Sequence, residues 1–167
     1  MVKPKLAGEK VIKEILPNDA IIIRVSWLYS EYGKNFVKTM LRLAKEKNQI
    51  DVVSDQVGSP TYATDLAKVI LKAIKYEAIK KKNYTTEVYH YSNKGEISWY
   101  EFAREIFKFV KTECKVNSIA SDNYPALAER PKIVLMNTHK ISQRFDVNIL
   151  EFKKSLENCI SNIKKQQ

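Results

Sequence analysis

Two consecutive strand–loop–helix patterns between Arg24 and Ala67 constrain the fold of this chain more than any other feature. The run Ala20–Val25 that leads into them is apolar except for Arg24 and is rich in β-branched residues. Such a run is typical of a strand buried on both faces of a parallel sheet. A second short strand, Ile50–Val53, again leads into a loop and a helix. Strands that alternate with helices in this way predict an α/β domain with parallel strands and flanking helices.

Capping signals place the predicted helices along the chain. The first helix is predicted over Pro4–Leu16. Asn35 is a predicted N-cap for the second helix and Thr61 for the third, in which the helical period puts Leu66, Ile70, Ala73 and Ile74 on the inner face. The remaining predictions are a strand over residues 87–91, a capping box at Ser98 and Glu101 opening a fourth helix, an irregular stretch up to Ile149, and a closing helix over residues 149–163.

Length, charge and cysteine usage exclude several classes of protein. The 167 residues suit a single domain spanning residues 1–167. No apolar run approaches the roughly 18–20 residues that cross a bilayer, so we expect a cytoplasmic protein without a membrane partner. The net charge of +10 is spread along the chain without a zinc-finger, RRM or KH pattern, which argues against nucleic acid as a partner. Cys114 and Cys159 lack ligand spacing, so we expect reduced structural thiols and no metal site.

Candidate site residues gather where the predicted strands end, the place where open α/β sheets bind ligands. Trp27 follows the first strand and offers a flat apolar face for a sugar ring and one N–H donor. It could equally cover the core beneath the next loop. Asn35 precedes a helix N-terminus and could donate its amide to a pyrophosphate oxygen, or it could serve only as the helix cap.

Two further candidates lie in later loops. The amide of Gln56 has both donor and acceptor groups, which suits the edge of a pyrimidine base or a sugar. Arg130 precedes Pro131, which favours extended backbone and would hold the guanidinium in a defined place for a phosphate. The alternative for Arg130 is a surface ion pair with Glu129 or Asp122.

Five segments of the chain occur in an order known from one enzyme family. They are KPKLAGEKVI at the start, RVSWLY, GKNFVKTMLRLA, DQVGSPTYATDLA and the Arg-Pro pair at Arg130. In this order they resemble the second half of the dTDP-4-dehydrorhamnose reductases, which belong to the extended short-chain dehydrogenase/reductase superfamily. The resemblance implies the C-terminal part of a Rossmann-like fold, lacking the N-terminal dinucleotide-binding half.

The resemblance also implies a reaction and roles for individual residues. The family reduces the C4 ketone of dTDP-4-dehydro-L-rhamnose with NADPH or NADH, in the synthesis of dTDP-L-rhamnose for surface polysaccharide. Lys5 matches the lysine of the family's Tyr-x-x-x-Lys motif, which supports the catalytic tyrosine and holds the nicotinamide ribose. Trp27 matches the tryptophan that contacts the sugar. By position, Asn35, Gln56 and Arg130 are implied contacts of the nucleotide sugar.

The chain departs from the family at two points that matter for activity. Met1 stands where the tyrosine belongs and has no proton to give, and the four glycines form no glycine-rich fingerprint. We therefore expect a truncated form that binds a dTDP-sugar, binds no NADP or NAD alone, and does not turn over alone. The alternative is a non-catalytic regulatory or binding module, as in the regulatory β subunit of methionine adenosyltransferase, which is similar to this family. The apolar strand edge around Ile21–Val25 predicts a homodimer or a domain swap.

Overall fold

A computed structural model describes residues 2–80, 85–124 and 130–166 of the chain. The helices are α1 (Val2–Ile15), α2 (Phe36–Glu46), α3 (Ala63–Lys80), α4 (Trp99–Phe107), α5 (His139–Phe145) and α6 (Phe152–Lys165), with a 3₁₀ turn at Ser121–Asn123. The strands are β1 (Ile21–Val25), β2 (Leu28–Tyr29), β3 (Gln49–Val53), β4 (Val57–Gly58), β5 (Thr61–Tyr62), β6 (Glu87–Tyr91), β7 (Ile97–Ser98), β8 (Lys115–Ile119) and β9 (Ile133–Val134).

Most strand pairs in this part of the chain are parallel. β1 runs alongside β6, with Ile21 opposite Glu87 and Val25 opposite Tyr91. β3 pairs with β8 and β2 with β5, again in parallel. β4 is parallel to β9 and antiparallel to β7. Together with the flanking helices, these pairings confirm the predicted α/β class.

The buried apolar side chains form two clusters. The first packs α2, α4 and α6 together and contains Val37, Phe102 and Ile106, all fully buried. The second packs α3 and α5 against β6 through Tyr89 and Phe145. Because burying a large apolar side chain contributes about 1.5–3 kcal/mol, these two clusters carry most of the packing energy of the described residues.

Two predicted helix starts are confirmed in detail. The Oδ1 atom of Asn35 accepts a hydrogen bond from the backbone N–H of Lys38 at 3.2 Å, which caps α2. Ser98 and Glu101 form the predicted capping box of α4, because each side chain accepts a hydrogen bond from the backbone of the other, at 3.1 and 2.9 Å. Helices α1 and α6 and strand β6 also lie close to their predicted positions.

The predictions for α3 are wrong in two respects. Thr61 does not cap this helix: it pairs with Leu28 between β2 and β5, and its backbone N–H donates to the carbonyl of Trp27 at 3.1 Å. The helix therefore begins later, at Ala63. Its inner face is only partly as predicted. Ala73 is buried and Leu66 packs against the second cluster, as predicted, whereas Ile70 and Ile74 are 38% and 59% exposed and Val69 is buried instead.

Two other expectations are corrected. Strand β1 is half-buried rather than buried on both faces, and Arg24 within it is exposed. The stretch before Ile149 is not irregular, because it contains β8, the 3₁₀ turn Ser121–Asn123, β9 and α5. The turn, β9 and α5 are too short to produce a recognisable hydrophobic period.

Candidate functional site

A cavity of about 440 Å³ opens beside β3 and α2. Its apolar wall includes Phe36 and Leu43 from α2 and Trp99 from the start of α4. Gln56 and Arg130 line the same cavity with polar groups. The structure therefore brings together two of the side chains predicted from the sequence, although they lie in loops far apart in the chain.

Backbone pairing holds the segments of Gln56 and Arg130 side by side. The N–H of Val57 donates to the carbonyl of Lys132 at 2.7 Å, and Val57 pairs with Ile133 where β4 meets β9. On the other side, the carbonyl of Gln56 accepts a hydrogen bond from the N–H of Trp99 at 3.4 Å. The cavity is thus built on strand pairing and a helix start rather than on free loops, which favours a preformed site.

Asp55 is a site residue that the sequence reasoning missed. Its two carboxylate oxygens accept hydrogen bonds from the backbone N–H and the hydroxyl of Ser121, at 2.9 and 2.8 Å. These bonds, with a contribution from the Lys132 ammonium 3.9 Å away, lower the pKa of Asp55. Asp55 therefore ties the loop of Gln56 to the 3₁₀ turn Ser121–Asn123. This turn leads into Tyr124, which also lines the cavity. No local pattern in the sequence marks this role, because Ser121 lies 66 residues away.

Trp27 lies at the carboxyl end of β1, as predicted, and is half-buried. Its backbone has a φ of +48°, a left-handed conformation that a bulky side chain rarely adopts and that costs about 1–3 kcal/mol. Its indole stacks on that of Trp99, with ring centroids 3.5 Å apart and an interplanar angle of 11°. No described residue accepts a hydrogen bond from the Trp27 indole N–H. Trp27 is therefore joined to the cavity through Trp99 and keeps a free donor.

The Asn35 side chain is engaged within its own loop. Its Nδ2 atom donates to the carbonyls of Ser30 and Tyr32, at 2.7 and 3.2 Å, while its Oδ1 atom caps α2. The Oδ1 bond is that of a helix cap, and the two Nδ2 bonds hold the preceding loop, so the polar atoms of the side chain all have partners within the chain. A contact between Asn35 and a pyrophosphate stays a prediction.

Lys5 lies on an exposed part of α1 and makes no hydrogen bond or ion pair with another described residue. The helix is tied to β1 by Glu9, whose carboxylate accepts a hydrogen bond from Nε of Arg24 at 2.8 Å. That side-chain hydrogen bond from Arg24 lowers the pKa of Glu9. No hydrogen bond or ion pair joins Lys5 to the described residues Trp27 and Gln56, and its role stays a prediction.

The described glycines do not form a dinucleotide-binding turn. Gly8 lies inside α1, Gly58 lies in β4 against Trp27, and the two glycines with positive φ, Gly33 and Gly95, belong to separate loops. A dinucleotide fingerprint needs several glycines in one turn between a strand and a helix. Among the residues described, no group of His, Cys, Asp or Glu side chains could hold a metal ion. In the part of the chain that the structure describes, no helix is long and apolar enough to span a membrane.

Comparison with known sequences identifies one family. The family described as RmlD substrate binding domain matches residues 2–165. The dTDP-4-dehydrorhamnose reductase of Aggregatibacter actinomycetemcomitans is 38% identical over 162 residues, which cover 93% of this chain and 54% of that protein. The spore coat polysaccharide biosynthesis protein SpsK of Bacillus subtilis is 38% identical over 141 residues, covering 84% and 47%. The chain thus spans about half the length of the curated relatives it matches.

Solved structures give the same result. The dTDP-4-dehydrorhamnose reductase of Bacillus anthracis in complex with NADP superposes with a TM-score of 0.85 at 39% identity, covering 95% of this chain and 53% of that one. The Clostridium acetobutylicum reductase superposes with a TM-score of 0.86 at 36% identity, covering 97% and 55%. The resemblance inferred from the sequence is confirmed: the chain belongs to the RmlD substrate-binding domain family and corresponds to the C-terminal portion of the dTDP-4-dehydrorhamnose reductases.

Proposed function

We propose that this chain supplies the nucleotide-sugar-binding wall of a dTDP-4-dehydrorhamnose reductase. The reaction of the whole enzyme would be the reduction of the C4 ketone of dTDP-4-dehydro-L-rhamnose with NADPH or NADH. The observation that carries the proposal is the cavity in which Gln56, Trp99 and Arg130 converge. The names of the relatives, and the NADP in the Bacillus anthracis structure, support the reaction class.

The lining of the cavity suits the two ends of a thymidine diphosphate. Phe36 and Leu43 provide an apolar wall for the thymine ring, and the Gln56 amide can pair with its N–H and carbonyl groups. Arg130 can bind the diphosphate with two parallel hydrogen bonds, the geometry in which a guanidinium is strongest. The sugar would extend toward Trp27, whose indole N–H is a free donor for one of its oxygens.

The chain alone is proposed to bind the nucleotide sugar without turning it over. Lys5 is the residue that would contact the nicotinamide ribose, but the described glycines offer no site for the dinucleotide phosphates. Met1, at the position of the family's tyrosine, lies outside the described residues, and a thioether has no proton to donate to the developing alkoxide. Binding of NADP or NAD and proton transfer would therefore both require residues that this chain does not provide.

The proposal is tested by calorimetric titration of the chain with dTDP and dTDP-L-rhamnose. We expect both ligands to bind, and Arg130→Ala to weaken binding about ten- to hundredfold, because hydrogen bonds to a charged group are worth about 1.5–3 kcal/mol. Arg42→Ala is the matched control: it removes the same charge from the surface of α2, where Arg42 pairs with Glu46, and should leave the affinity unchanged. No heat at millimolar ligand would remove the binding proposal.

A separate assay tests the inactivity of the isolated chain. NADPH oxidation is followed in the presence of dTDP-4-dehydro-L-rhamnose, with a full-length reductase of the family as the positive control. We expect no oxidation above the rate without protein. Measurable turnover would contradict the proposal that this chain lacks the proton donor and the cofactor site.

One observation favours the alternative of a non-catalytic binding module. Large apolar side chains on α1 and α3 are open to solvent, including Ile15 at 71% and Leu71 at 67% exposure. Where such side chains form one continuous patch, they mark a site at which another protein docks. A chain that binds a partner protein through these helices, and no nucleotide sugar in the titration above, would favour this alternative over the reductase wall.

A further inference from the structure

We infer that Gly58 and Trp99 form a slot that holds the indole of Trp27 in one orientation and so positions its N–H donor. The two residues are positioning residues, since they act on the ligand through Trp27. The part of this inference that concerns a nucleotide sugar rests on the proposed function. The slot itself is a property of the folded chain and can be tested without any ligand.

Gly58 forms one side of the slot. A Cβ atom at this position would lie 2.7 Å from Cε2 of Trp27 and 2.9 Å from both Cζ2 and Nε1. The atoms it would meet belong to a rigid ring rather than to the end of a flexible chain, so the whole indole would have to move. The φ of Gly58 is not positive, so close approach rather than backbone conformation requires glycine here.

Trp99 forms the opposite side. Its indole stacks on that of Trp27 almost face to face, at 3.5 Å between centroids. Trp99 is itself held in place, because its backbone N–H donates to the carbonyl of Gln56 and its ring packs on Phe36 with centroids 4.5 Å apart. An indole confined between this ring and the Gly58 backbone cannot be displaced without disturbing one of them. The strained backbone of Trp27, with its φ of +48°, is consistent with such confinement.

The slot has a chemical consequence because of which part of the indole it holds. The indole atoms nearest Gly58 include Nε1, so a methyl group at position 58 would displace the free donor of Trp27. Trp99 also lines the cavity shared by Gln56 and Arg130. The stacked pair therefore links the part of the site proposed for the nucleotide to the part proposed for the sugar, and it fixes the distance between them.

The slot can be detected spectroscopically without a ligand. Trp27 and Trp99 are the only two tryptophans of the chain, and closely stacked indoles couple their ultraviolet transitions into a pair of circular dichroism bands of opposite sign. We expect this couplet in the unaltered chain and in Gly8→Ala, where a Cβ would meet nothing within 4 Å. It should be lost in Gly58→Ala and in Trp99→Phe. An unaltered chain without the couplet would overturn the slot.

A double-mutant comparison keeps the test decisive where Gly58→Ala folds poorly. The melting temperature is measured for Gly58→Ala in the unaltered chain and in a Trp27→Leu background. If the alanine methyl clashes with the indole, Gly58→Ala should lower the melting temperature only when the indole is present. The double variant Gly58→Ala/Trp27→Leu should therefore have the same melting temperature as Trp27→Leu alone. An equal penalty in both backgrounds would overturn the slot.

Ligand binding tests the positioning role. Gly58→Ala should weaken binding of dTDP-L-rhamnose about tenfold, the value of one neutral hydrogen bond, and should affect dTDP less because dTDP lacks the sugar. Loss of the couplet with unchanged dTDP-L-rhamnose affinity would overturn positioning. If the unaltered chain binds neither ligand, the proposed function and the positioning role fail together, while the couplet and the double-mutant comparison still decide the slot.

Discussion

The side chain of Asn93, two residues after the end of β6, joins three separate segments of the chain. Its Oδ1 atom accepts a hydrogen bond from the N–H of Tyr62 at 2.8 Å. Its Nδ2 atom donates to Asp65 in α3 and to the hydroxyl of Ser155 in α6, both at 2.9 Å. Asn93 and Asp65 are 1% and 4% exposed. A buried carboxylate depends on such donors, so the amide stabilises Asp65 as well as the contact between the two helices.

We predict that Asn93→Ala lowers the free energy of unfolding by about 2–4 kcal/mol, because it leaves the buried N–H of Tyr62 without a partner and removes one of the donors to the buried carboxylate of Asp65, which keeps the Ser155 hydroxyl. Urea denaturation followed by circular dichroism measures the change. The matched control is Asn158→Ala on the exposed face of α6, which should change stability by no more than about 0.5 kcal/mol. Equal losses for the two variants would contradict the role of Asn93.

At the scale of residues, the sequence predicts the polar groups that line the cavity better than it predicts the aromatic ring and the hydrogen bonds that surround them. Gln56 and Arg130 were named from residue type and from the proline after Arg130, and they line one cavity. Trp99 was missed as a site residue because, at the start of a capped helix, it is indistinguishable from a core aromatic. Asp55 was missed because hydrogen bonds to Ser121, 66 residues away, leave no local pattern.

Among the elements, the 3₁₀ turn Ser121–Asn123 depends on a single carboxylate. We predict that Asp55→Asn lowers stability at neutral pH and weakens dTDP binding, because the turn leads into Tyr124 at the cavity. The hydrogen bonds from Ser121 lower the pKa of Asp55 in the folded state. Its stabilising effect is therefore fully present above the unfolded pKa of about 4 and is lost as the pH falls through the folded pKa.

Urea denaturation between pH 7 and pH 3 measures this effect. The stability difference between the unaltered chain and Asp55→Asn should be constant near neutral pH and shrink below about pH 4. Asp122→Asn is the control, since Asp122 lies exposed in the same turn and bonds to no other described residue. A stability difference that stays constant down to pH 3 would show that the ionised form of Asp55 does not stabilise the fold more than the protonated form.

The elements that the sequence predicted well are those with a full hydrophobic period and a capping side chain. α2 with Asn35, and α4 with Ser98 and Glu101, are examples. The two-residue strands escaped prediction because their partners, not their own residues, define them. The same competition explains Thr61, which suits a helix cap locally but is drawn into the pairing of β2 with β5.

For the molecule as a whole, we predict self-association that increases with concentration. Leu71 and Ile74 on α3 are 67% and 59% exposed, Ile15 on α1 is 71% exposed, and β1 pairs with β6 along one edge only among the described strands. Light scattering over a range of concentrations measures the average mass. Replacing Leu71 and Ile74 by Gln should reduce association, because it removes apolar surface from the contact.

The control for this prediction is Ile133→Gln on β9. Ile133 is as exposed as Leu71, at 68%, but belongs to the strand beside the cavity rather than to α1 or α3. This variant should associate as the unaltered chain does. A monomer at every concentration would contradict both a homodimer and a domain swap.

The pairing of β3 with β8 joins residues far apart in the sequence, with Gln49 opposite Lys115 and Asp51 bonded to Asn117 across 66 residues. Parallel pairings of such long range form slowly, because the intervening chain must close before any contact is gained. The cavity lies against β3 and needs both Trp99 and Arg130 in place. During refolding, the helices should therefore form first, and the ability to bind a nucleotide should be the last property of the chain to return.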